Sequence, residues 1–348
     1  MRIAWVADPG GLRVTPAGVH SVLASYRYRM LIPLGVLKQR GHEVKIIAQN
    51  PDTGGLDSAI EQLHGADVVI FAKNDLWNVN ERLLAAAQQL NVATVADFCD
   101  DYFGNRDRRG EHYLVMAMRA DAISVSTPFL ARRIAEETSR EATVIVDPYE
   151  GPRGVAKWAP GRQLRALWFG HHVNFPGLQK SLDVILSAGI PMHLIVMTMN
   201  RPDIVQWCGA NSAPARDCAV EFREWSPEAM WRALCDCDVV LLPIDRARPY
   251  YLSKGHIRVV ESLWAGRFVI ANSVPAYENF GAWAWIGDDI AAGLRWSVEH
   301  PSEVVARINH AQKHILATFS PQTIAKSWEK FLKSVRRGRR SSAASWEP

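Results

Sequence analysis

The sequence predicts an α/β protein with two Rossmann-like domains, because strand and helix patterns alternate in two separate series along its 348 residues. The first series runs from an apolar strand at residues 3–7 to a strand at 143–146. A stretch rich in proline and glycine at 147–154 interrupts the alternation, and a second series starts at 164–169. Strands separated by helices of this length need right-handed crossovers, so we expect a parallel sheet in each half.

In the first half, short apolar runs predict strands, and segments with helical periodicity lie between them. The strands are expected at 3–7, 43–48, 67–71, 92–96, 123–126 and 143–146. The helices are expected at 25–40, 57–64, 80–90 and 128–138. The helix at 25–40 ends at Gly41, and its apolar face is formed by Met30, Leu31, Leu34 and Leu37.

The second half repeats this pattern and ends in an amphipathic helix. Its strands are expected at 164–169, 193–198, 220–224, 239–242 and 268–271, and its helices at 178–188, 227–235 and 253–264. These patterns predict an N-terminal domain at 1–150, a C-terminal domain at 151–318, a terminal helix at 319–335 and a flexible basic tail at 336–348. One large doubly wound domain is the alternative, and the length and linker favour it less.

Composition restricts the class of protein. A hydrophobic content of 48% and a charged content of 22% are typical of a globular protein, and no apolar run is long enough to span a membrane. Five cysteines without metal-ligand spacing, and an N-terminus that starts as a strand, predict a cytoplasmic protein.

Charge is concentrated at the C-terminus. The last eighteen residues hold five basic residues against one glutamate, which equals the net charge of +4 of the whole chain. A neutral body argues against a nucleic-acid partner. Two interpretations of the tail are open, a solvated segment or a weak contact with the anionic inner face of a membrane.

Three charged residues stand out after the predicted strand at 239–242. Lys254, Arg258 and Glu261 fall on one face of the predicted helix at 253–264, for which Ser253 is the expected N-cap. The carboxyl end of a parallel strand, followed by a helix N-terminus, is where α/β sheets bind anions. A surface ion pair between Arg258 and Glu261, with a stabilisation of about 0.2–0.5 kcal/mol, is the alternative.

The motif Lys254-x3-Arg258-x2-Glu261, followed by Gly266 and Pro275, resembles the donor-binding segment of retaining glycosyltransferases of the GT-B fold, family-four (group 1) type. The resemblance implies two Rossmann-like domains that face each other across a cleft, with the C-terminal helix crossing back to the N-terminal domain. It also implies transfer of a sugar from a nucleotide-sugar donor to a glycan or lipid-linked glycan.

The resemblance implies roles for individual residues. Glu261 would bind the ribose, while Lys254 and Arg258 would act in catalysis by stabilising the leaving diphosphate. The family commonly has a second glutamate where this chain has Ser253, so recognition of the transferred sugar departs from the pattern. Other donor-binding residues are expected at strand ends: Gly10, Gly11, Gly170, His171, Asn174, Trp225 and Asn272.

Several of these positions have a structural alternative. The pair Gly10 and Gly11 also suits an ordinary turn, and Trp225 either stacks on the base or packs in the core. Adjacent histidines at 171 and 172 suggest zinc, but no third ligand has a suitable spacing. We therefore expect neither a metal nor a cofactor, the nucleotide sugar being a substrate.

Acceptor residues are expected in the N-terminal half. Asp97, Asp100 and Asp101 follow the strand at 92–96, where Asp100 would orient or deprotonate the acceptor hydroxyl and the other two would bind the acceptor. Helix capping by Asp100 or Asp101 is the alternative. Arg27 or Arg29 would bind a phosphate or an anionic acceptor, unless they are merely solvated.

Three other functions share parts of this pattern. A GT-B sugar-nucleotide epimerase has the same architecture but needs no acceptor. A catalytically silent GT-B subunit is suggested by Ser253. A dinucleotide enzyme is disfavoured because no GxGxxG follows an early strand.

Overall fold

The computed structural model describes residues 1–16, 18–48, 55–73, 76–212, 217–245, 247 and 249–344. The chain forms two compact units. Unit 1 comprises residues 1–148, 253–255 and 319–348, and unit 2 comprises residues 149–252 and 256–318. The short segment 253–255 thus belongs to unit 1, although the sequence had placed it in the C-terminal domain.

Unit 1 contains a parallel sheet of six strands in the order β4-β1-β5-β6-β7-β8. The strands are β1 (Arg2–Ala7), β4 (Glu43–Ala48), β5 (Val68–Phe71), β6 (Ala93–Phe98), β7 (Ala122–Val125) and β8 (Thr143–Val144). Strands β1, β5 and β6 are mostly apolar and almost wholly buried, as expected for a sheet covered by helices on both faces. The sheet order reverses between β1 and β5, and such a switch point is where open α/β sheets bind ligands.

The helices of unit 1 include one segment that the sequence did not predict, α5. They are α1 (Ala24–Tyr26), a π-helical turn (Arg27–Leu31), α2 (Ile32–Gln39), α3 (Gly55–Leu63), α4 (Trp77–Gln89), α5 (Arg108–Arg119), α6 (Pro128–Thr138) and α13 (Pro321–Ala344). The π turn ends two residues before Pro33, which has no amide hydrogen for the regular helical bond. An exposed hairpin, β2 (Arg13–Thr15) with β3 (Gly18–His20), precedes α1 and was also not predicted.

The C-terminal helix α13 completes the core of unit 1. Ile324, Trp328 and Leu332 are buried in the same apolar cluster as Trp5 of β1. The rings of Trp5 and Trp328 pack edge to face with centroids 5.4 Å apart. The predicted return of this helix to the N-terminal domain is therefore confirmed.

The prediction of a flexible tail from residue 336 is wrong as far as Ala344, because α13 continues to that residue. Arg336 forms an ion pair with Asp67 at 3.0 Å, and Arg339 forms one with Asp121 at 3.1 Å. These ion pairs fix α13 to the loops before β5 and β7. The helix therefore continues beyond residue 335, where its apolar periodicity ends. Residues 345–348 of the predicted tail lie outside the described part of the chain.

Unit 2 also contains six parallel strands, in the order β11-β10-β9-β12-β13-β14. They are β9 (Leu164–Phe169), β10 (Met192–Thr198), β11 (Cys218–Glu224), β12 (Val239–Leu242), β13 (Phe268–Ala271) and β14 (Trp285–Ile286). The helices are α7 (Phe175–Leu186), α8 (Pro202–Asn211), α9 (Pro227–Asp236), α10 (Ile257–Trp264), α11 (Ile290–Glu299) and α12 (Pro301–Phe319). The switch point lies between β9 and β12.

Helix α10 begins at Ile257, with His256 as N-cap, so the predicted start at Ser253 is wrong. Residues Pro249–Ser253 form a 3₁₀ turn instead, and Gly255, a poor helix former, separates this turn from α10. The predicted end of the helix at Gly266 is confirmed by its φ of +78°. Within the described residues, the chain has no helix that is both long and apolar enough to cross a membrane.

Candidate functional site

Arg258 is held at the switch point of unit 2. One guanidinium nitrogen, Nη1, donates to the carbonyl oxygen of Phe169, the last residue of β9, at 3.3 Å, and Nη2 donates to the hydroxyl of Tyr277 at 3.4 Å. A Cβ atom at Gly170 would lie 3.2 Å from Nη1, so a larger residue would crowd the guanidinium. The glycine thus permits a close approach between Arg258 and the loop that follows β9.

Three polar atoms near this loop are buried and have no hydrogen-bond partner within the described residues: His172 Nδ1, Asn174 Oδ1 and Thr198 Oγ1. The first two follow β9, and Thr198 ends β10, so all three lie at the carboxyl edge of the unit 2 sheet. Buried polar atoms are nearly always satisfied in proteins, by water or ligand where the chain offers nothing. This edge therefore has the chemistry of a polar binding site.

Glu261 lies one turn after Arg258 on α10 and is 1% exposed. The spacing of three residues places both side chains on the same face of the helix. Because Glu261 is buried, the alternative of a surface ion pair between Arg258 and Glu261 does not apply. A buried carboxylate is costly without hydrogen-bond donors or a counter-charge.

The other predicted donor residues of unit 2 follow the strand ends. His171 caps a short 3₁₀ turn by accepting from the amide of Val173 at 3.4 Å, and its ring lies against that of His172. Trp225 is half-buried after β11, and its amide donates to Thr198 at 2.9 Å. Asn272 Oδ1 accepts from the amide of Ile244 at 2.8 Å and so joins the loops after β12 and β13.

Gly10 and Gly11 form a 3₁₀ turn after β1 in unit 1. Asp8 accepts from the amide of Gly10 at 2.8 Å. A Cβ atom at Gly11 would lie 2.5 Å from the ring of Tyr26, so this glycine is required by packing. Donor binding by Gly10 and Gly11 stays a prediction. Packing against Tyr26 already explains why residue 11 is a glycine.

Asp97 is part of a buried ion pair with Arg29. Its Oδ1 accepts from Arg29 Nη2 at 2.5 Å and from Ser124 at 2.7 Å, while its Oδ2 accepts from Arg29 Nε at 3.1 Å. Arg29 also reaches Asp147 at 3.2 Å and the carbonyl of Ile145. Burial alone would lower the pKa of Arg29, but Asp97 and Asp147 outweigh it and raise that pKa.

These contacts give Asp97 and Arg29 a structural role in unit 1, because Asp97 is only 2% exposed. Arg27, the predicted acceptor-binding arginine, is 5% exposed and donates to the carbonyl of Val22 at 2.9 Å. It therefore holds the segment before α1 and is not a solvated arginine. Acceptor binding by Arg27 and Asp97 stays a prediction.

Asp100 lies between two lysines in unit 1. Its carboxylate accepts from Lys254 at 3.2 Å and from Lys73. Burial would raise the pKa of Asp100, but the two ammonium groups outweigh it and lower the pKa to about 2. Burial is the largest effect on Lys254 and lowers its pKa, whereas Asp100 raises the pKa of Lys73 against burial.

Lys254 and Asp100, which the sequence placed in different halves, are thus brought together in unit 1. Lys254 lies outside α10 and does not share a helix face with Arg258, so the predicted common face is wrong. Asp101 accepts from the amide of Phe103 and from Arg133 Nε, both at 3.2 Å. Asp100 and Asp101 were candidates for helix capping, but the helix that follows them, α5, has Asp107 as its N-cap.

A metal centre was not expected from the sequence. Within the described ranges of the chain, no three His, Cys, Asp or Glu side chains come together in a way that would hold a metal ion.

The fold is similar to that of several solved proteins, although no family model and no curated protein matches the sequence. HepE from Anabaena, solved with UDP-glucose, is 13% identical with a TM-score of 0.70, covering 96% of this chain and 100% of that one. A glycosyltransferase from Rickettsia africae is 12% identical with a TM-score of 0.69, covering 96% and 98%.

A third similar structure is the E. coli trehalose-6-phosphate synthase bound with UDP-2-fluoro glucose, 11% identical with a TM-score of 0.64 and coverage of 96% and 99%. At these identities the likeness establishes the fold alone. The chain has the GT-B fold, and the predicted fold class of two Rossmann-like domains is confirmed.

Proposed function

We propose that the protein is a retaining glycosyltransferase that uses a nucleotide-sugar donor bound by unit 2. The observation that carries the proposal is Arg258, fixed beside Gly170 at the switch point, with the buried Glu261 one helical turn later. The similar folds of HepE and of the E. coli protein were solved with UDP sugars, which supports the same ligand class here.

Each part of the unit 2 site has a role in this proposal. Arg258 and the N-terminus of α10 neutralise the diphosphate, whose charge grows as the sugar leaves. Glu261 accepts hydrogen bonds from the ribose hydroxyls. The unpartnered atoms of Asn174 and Thr198 bind the sugar or phosphate oxygens, directly or through water. Backbone amides after β9 approach the diphosphate where Gly170 leaves room.

Unit 1 supplies the acceptor side of the proposed reaction. With a pKa of about 2, Asp100 is ionised at neutral pH and is a weak base. We therefore assign it the role of accepting a hydrogen bond from the acceptor hydroxyl, which orients that hydroxyl for attack, and not of removing its proton. Lys254 supplies positive charge beside that carboxylate.

The proposed class of acceptor is based on the fold and on the basic C-terminal helix. A glycan or lipid-linked glycan in a cytoplasmic pathway of polysaccharide synthesis fits a GT-B enzyme with a basic C-terminal helix. The exposed side chains of Lys326, Lys330 and Arg337 on α13 suit a weak contact with an anionic membrane surface.

Titration of UDP into the protein, followed by calorimetry, tests the donor assignment. Glu261→Gln removes the charge that accepts the ribose hydroxyls, so we expect UDP affinity to fall about tenfold to a hundredfold. Glu224→Gln changes an exposed glutamate of the same unit and is the matched control, with unchanged affinity expected. Equal UDP affinity in wild type and Glu261→Gln would contradict the ribose assignment, and absence of binding of UDP, GDP, ADP and dTDP alike would contradict the proposed function.

A catalytically silent GT-B subunit is the second candidate, because Ser253 occupies the position where the resembling family commonly has glutamate. Ser253 is fully buried in its 3₁₀ turn and so offers no exposed group to a sugar. A protein that binds UDP but neither transfers nor hydrolyses any of a panel of UDP sugars would favour this candidate. Transfer to a glycan acceptor would exclude it.

A further inference from the structure

A short hairpin with exposed apolar side chains follows β1 at the carboxyl edge of the unit 1 sheet. It consists of β2 and β3, in which Val14 and Val19 lie directly opposite each other. Val14 is 80% exposed, Val22 just beyond the hairpin is 71% exposed, and Val19 and Leu23 are exposed as well. These four residues and Arg13 form the hairpin patch, and none of them is assigned to donor or acceptor binding.

The backbone under the hairpin patch is held by two buried polar side chains. The hydroxyl of Ser21 donates to the carbonyl of Gly11 at 2.6 Å and accepts from the amide of Leu23 at 3.0 Å. Arg27 donates to the carbonyl of Val22 at 2.9 Å. Because these bonds fix the backbone, docking of the exposed side chains against a partner costs little further ordering of the chain.

The two faces of the hairpin differ in chemistry. Successive side chains of a strand point to opposite faces, so the opposed pair Val14 and Val19 shares one face. The opposed pair Arg13 and His20 shares the other face. The hairpin therefore presents aliphatic side chains on one face and a permanent positive charge on the other.

The charge of Arg13 is not offset by its surroundings. From residue 9 to residue 42 the sequence contains no Asp or Glu. Arg13 is exposed, and no carboxylate in the part of the chain that the structure describes forms an ion pair with it. Other basic residues of this stretch are paired, Arg29 with Asp97 and Arg40 with Glu329. The hairpin patch thus combines apolar surface with an unneutralised cation.

This combination distinguishes among the partners that an exposed patch can have. A second copy of the chain, in a two-fold contact, would place the patch against itself and Arg13 near its own copy, with no acid nearby. A glycan presents hydroxyl groups, which aliphatic side chains cannot bond. An anionic lipid bilayer presents an apolar layer beneath negatively charged phosphates, so it matches both parts of the patch.

We propose that the hairpin patch docks unit 1 on an anionic lipid bilayer. The valines and Leu23 enter the boundary between headgroups and acyl chains, and Arg13 lies among the lipid phosphates. Docking of this kind does not depend on glycosyl transfer. Its use rests on the proposed function, in which docking would present the carboxyl edge of unit 1 to a lipid-linked acceptor.

Sedimentation of the full chain with vesicles measures the docking. The vesicles contain phosphatidylglycerol and phosphatidylcholine in equal parts. We expect the partition coefficient to fall about tenfold in the double variant Val14→Ser with Val22→Ser, and about fivefold in Arg13→Gln. In about 1 M salt the effect of Arg13→Gln should disappear, because the charges are then screened, while the effect of the double variant should remain.

Two matched controls should bind vesicles like the wild type. Val155→Ser with Val205→Ser removes two exposed valines of unit 2, of which Val155 is 82% exposed. Arg2→Gln removes an exposed arginine at the amino end of β1. All variants should keep the unfolding temperature of the wild type, since the substituted side chains are exposed. No vesicle binding by the wild type, or equal losses in the double variant and the valine control, would overturn the proposal.

Other occupants of the patch give different results. A wild-type dimer in analytical ultracentrifugation that the double variant dissociates would mean that a second copy covers the patch, and would overturn the proposal. Vesicle binding that is lost in Lys326→Gln with Lys330→Gln, but is unchanged in the double variant, would assign the membrane contact to α13 alone and would also overturn it.

Titration of nucleoside diphosphates without vesicles separates this inference from the proposed function. Normal UDP affinity without vesicle binding overturns only the docking. Vesicle binding that depends on Val14 and Val22, in a protein that binds none of UDP, GDP, ADP and dTDP, overturns only the proposed function.

Discussion

The two units have related sheets but opposite chemistry at their carboxyl edges. Unit 2 has the strand order β11-β10-β9-β12-β13-β14, and its edge contains buried polar atoms without partners around Asn174 and Thr198. Unit 1 has the order β4-β1-β5-β6-β7-β8, and its edge contains charged side chains that are paired with one another, such as Arg29 with Asp97.

This difference indicates how each edge is stabilised. The buried charges of Arg29 and Asp97 in unit 1 compensate each other, so removing one partner should cost stability even when no ligand is bound. The buried atoms Asn174 Oδ1 and Thr198 Oγ1 of unit 2 have no partner among the described residues, so they are suited to bind a ligand or water. Substitutions in unit 1 should therefore act mainly on folding, and substitutions in unit 2 mainly on binding.

The largest effect is expected from Asp97→Ala in unit 1. The substitution leaves the guanidinium of Arg29 buried with one fewer counter-charge and Ser124 without its acceptor. We expect the free energy of unfolding to fall by about 3–5 kcal/mol, the usual cost of breaking a buried ion pair. Urea denaturation followed by circular dichroism measures the loss.

Glu141→Ala is the matched control for this substitution, because Glu141 is an exposed carboxylate in the same unit. It should change the unfolding free energy by less than about 0.5 kcal/mol. If Asp97→Ala were as stable as this control and lost only acceptor turnover, Asp97 would be a binding residue, and the comparison between the two edges would be wrong.

A smaller effect with a defined pH dependence is expected from Asp100→Asn. The pKa of Asp100 is about 2 in the folded protein against an ordinary value of 3.8. At about 1.4 kcal/mol per pKa unit, ionised Asp100 stabilises the fold by roughly 2 kcal/mol. Because the folded pKa is lowered, this stabilisation is complete above about pH 4 and is lost as the pH falls towards 2.

Thermal unfolding of wild type and Asp100→Asn between pH 2 and 7 tests this prediction. The difference between the two proteins should be largest near neutral pH and should shrink below pH 4. A difference that stays constant over the whole range would show that the lysines around Asp100 do not determine its ionisation. Glu141→Gln, an exposed carboxylate, should show no such difference.

The sequence predicted the sheets because buried parallel strands have a local signal. The run Val239–Leu242 is apolar and fully buried, and its predicted bounds agree with β12. The hairpin of β2 and β3 has exposed residues and therefore lacks the apolar alternation that reveals a strand. Helix α5 was missed although Asp107 was a visible N-cap signal, because Gly110, a poor helix former, lies in its first turn.

The candidate site was less predictable because its contacts are distant in sequence. Arg258 and Glu261 were identified from local spacing, and the structure keeps them on one helix. Lys254 was assigned to the same helix, and nothing local reveals that it bonds to Asp100, which lies 154 residues away. The pairing of Asp97 with Arg29 spans 68 residues, so no local pattern indicated it, and both residues were interpreted as candidate binding residues.

The smallest effect is expected from Tyr277→Phe in unit 2. The hydroxyl of the buried Tyr277 accepts from Arg258 Nη2 at 3.4 Å, so its removal leaves the guanidinium held by the Phe169 carbonyl and free to turn from the phosphates. A hydrogen bond of this kind contributes about 1 kcal/mol, which corresponds to a roughly fivefold loss of UDP affinity.

Calorimetry with UDP and with uridine separates positioning of Arg258 from a general loss of packing. Uridine carries no phosphate, so its affinity should be equal in Tyr277→Phe and in wild type, while that for UDP falls. Tyr149→Phe, which removes a hydroxyl from a half-buried tyrosine of unit 2, should leave both affinities unchanged. Equal losses of affinity for UDP and uridine in Tyr277→Phe would mean that Tyr277 supports the fold of unit 2. In that case the contacts at the carboxyl edge of unit 2 would stabilise the fold, as those of unit 1 do.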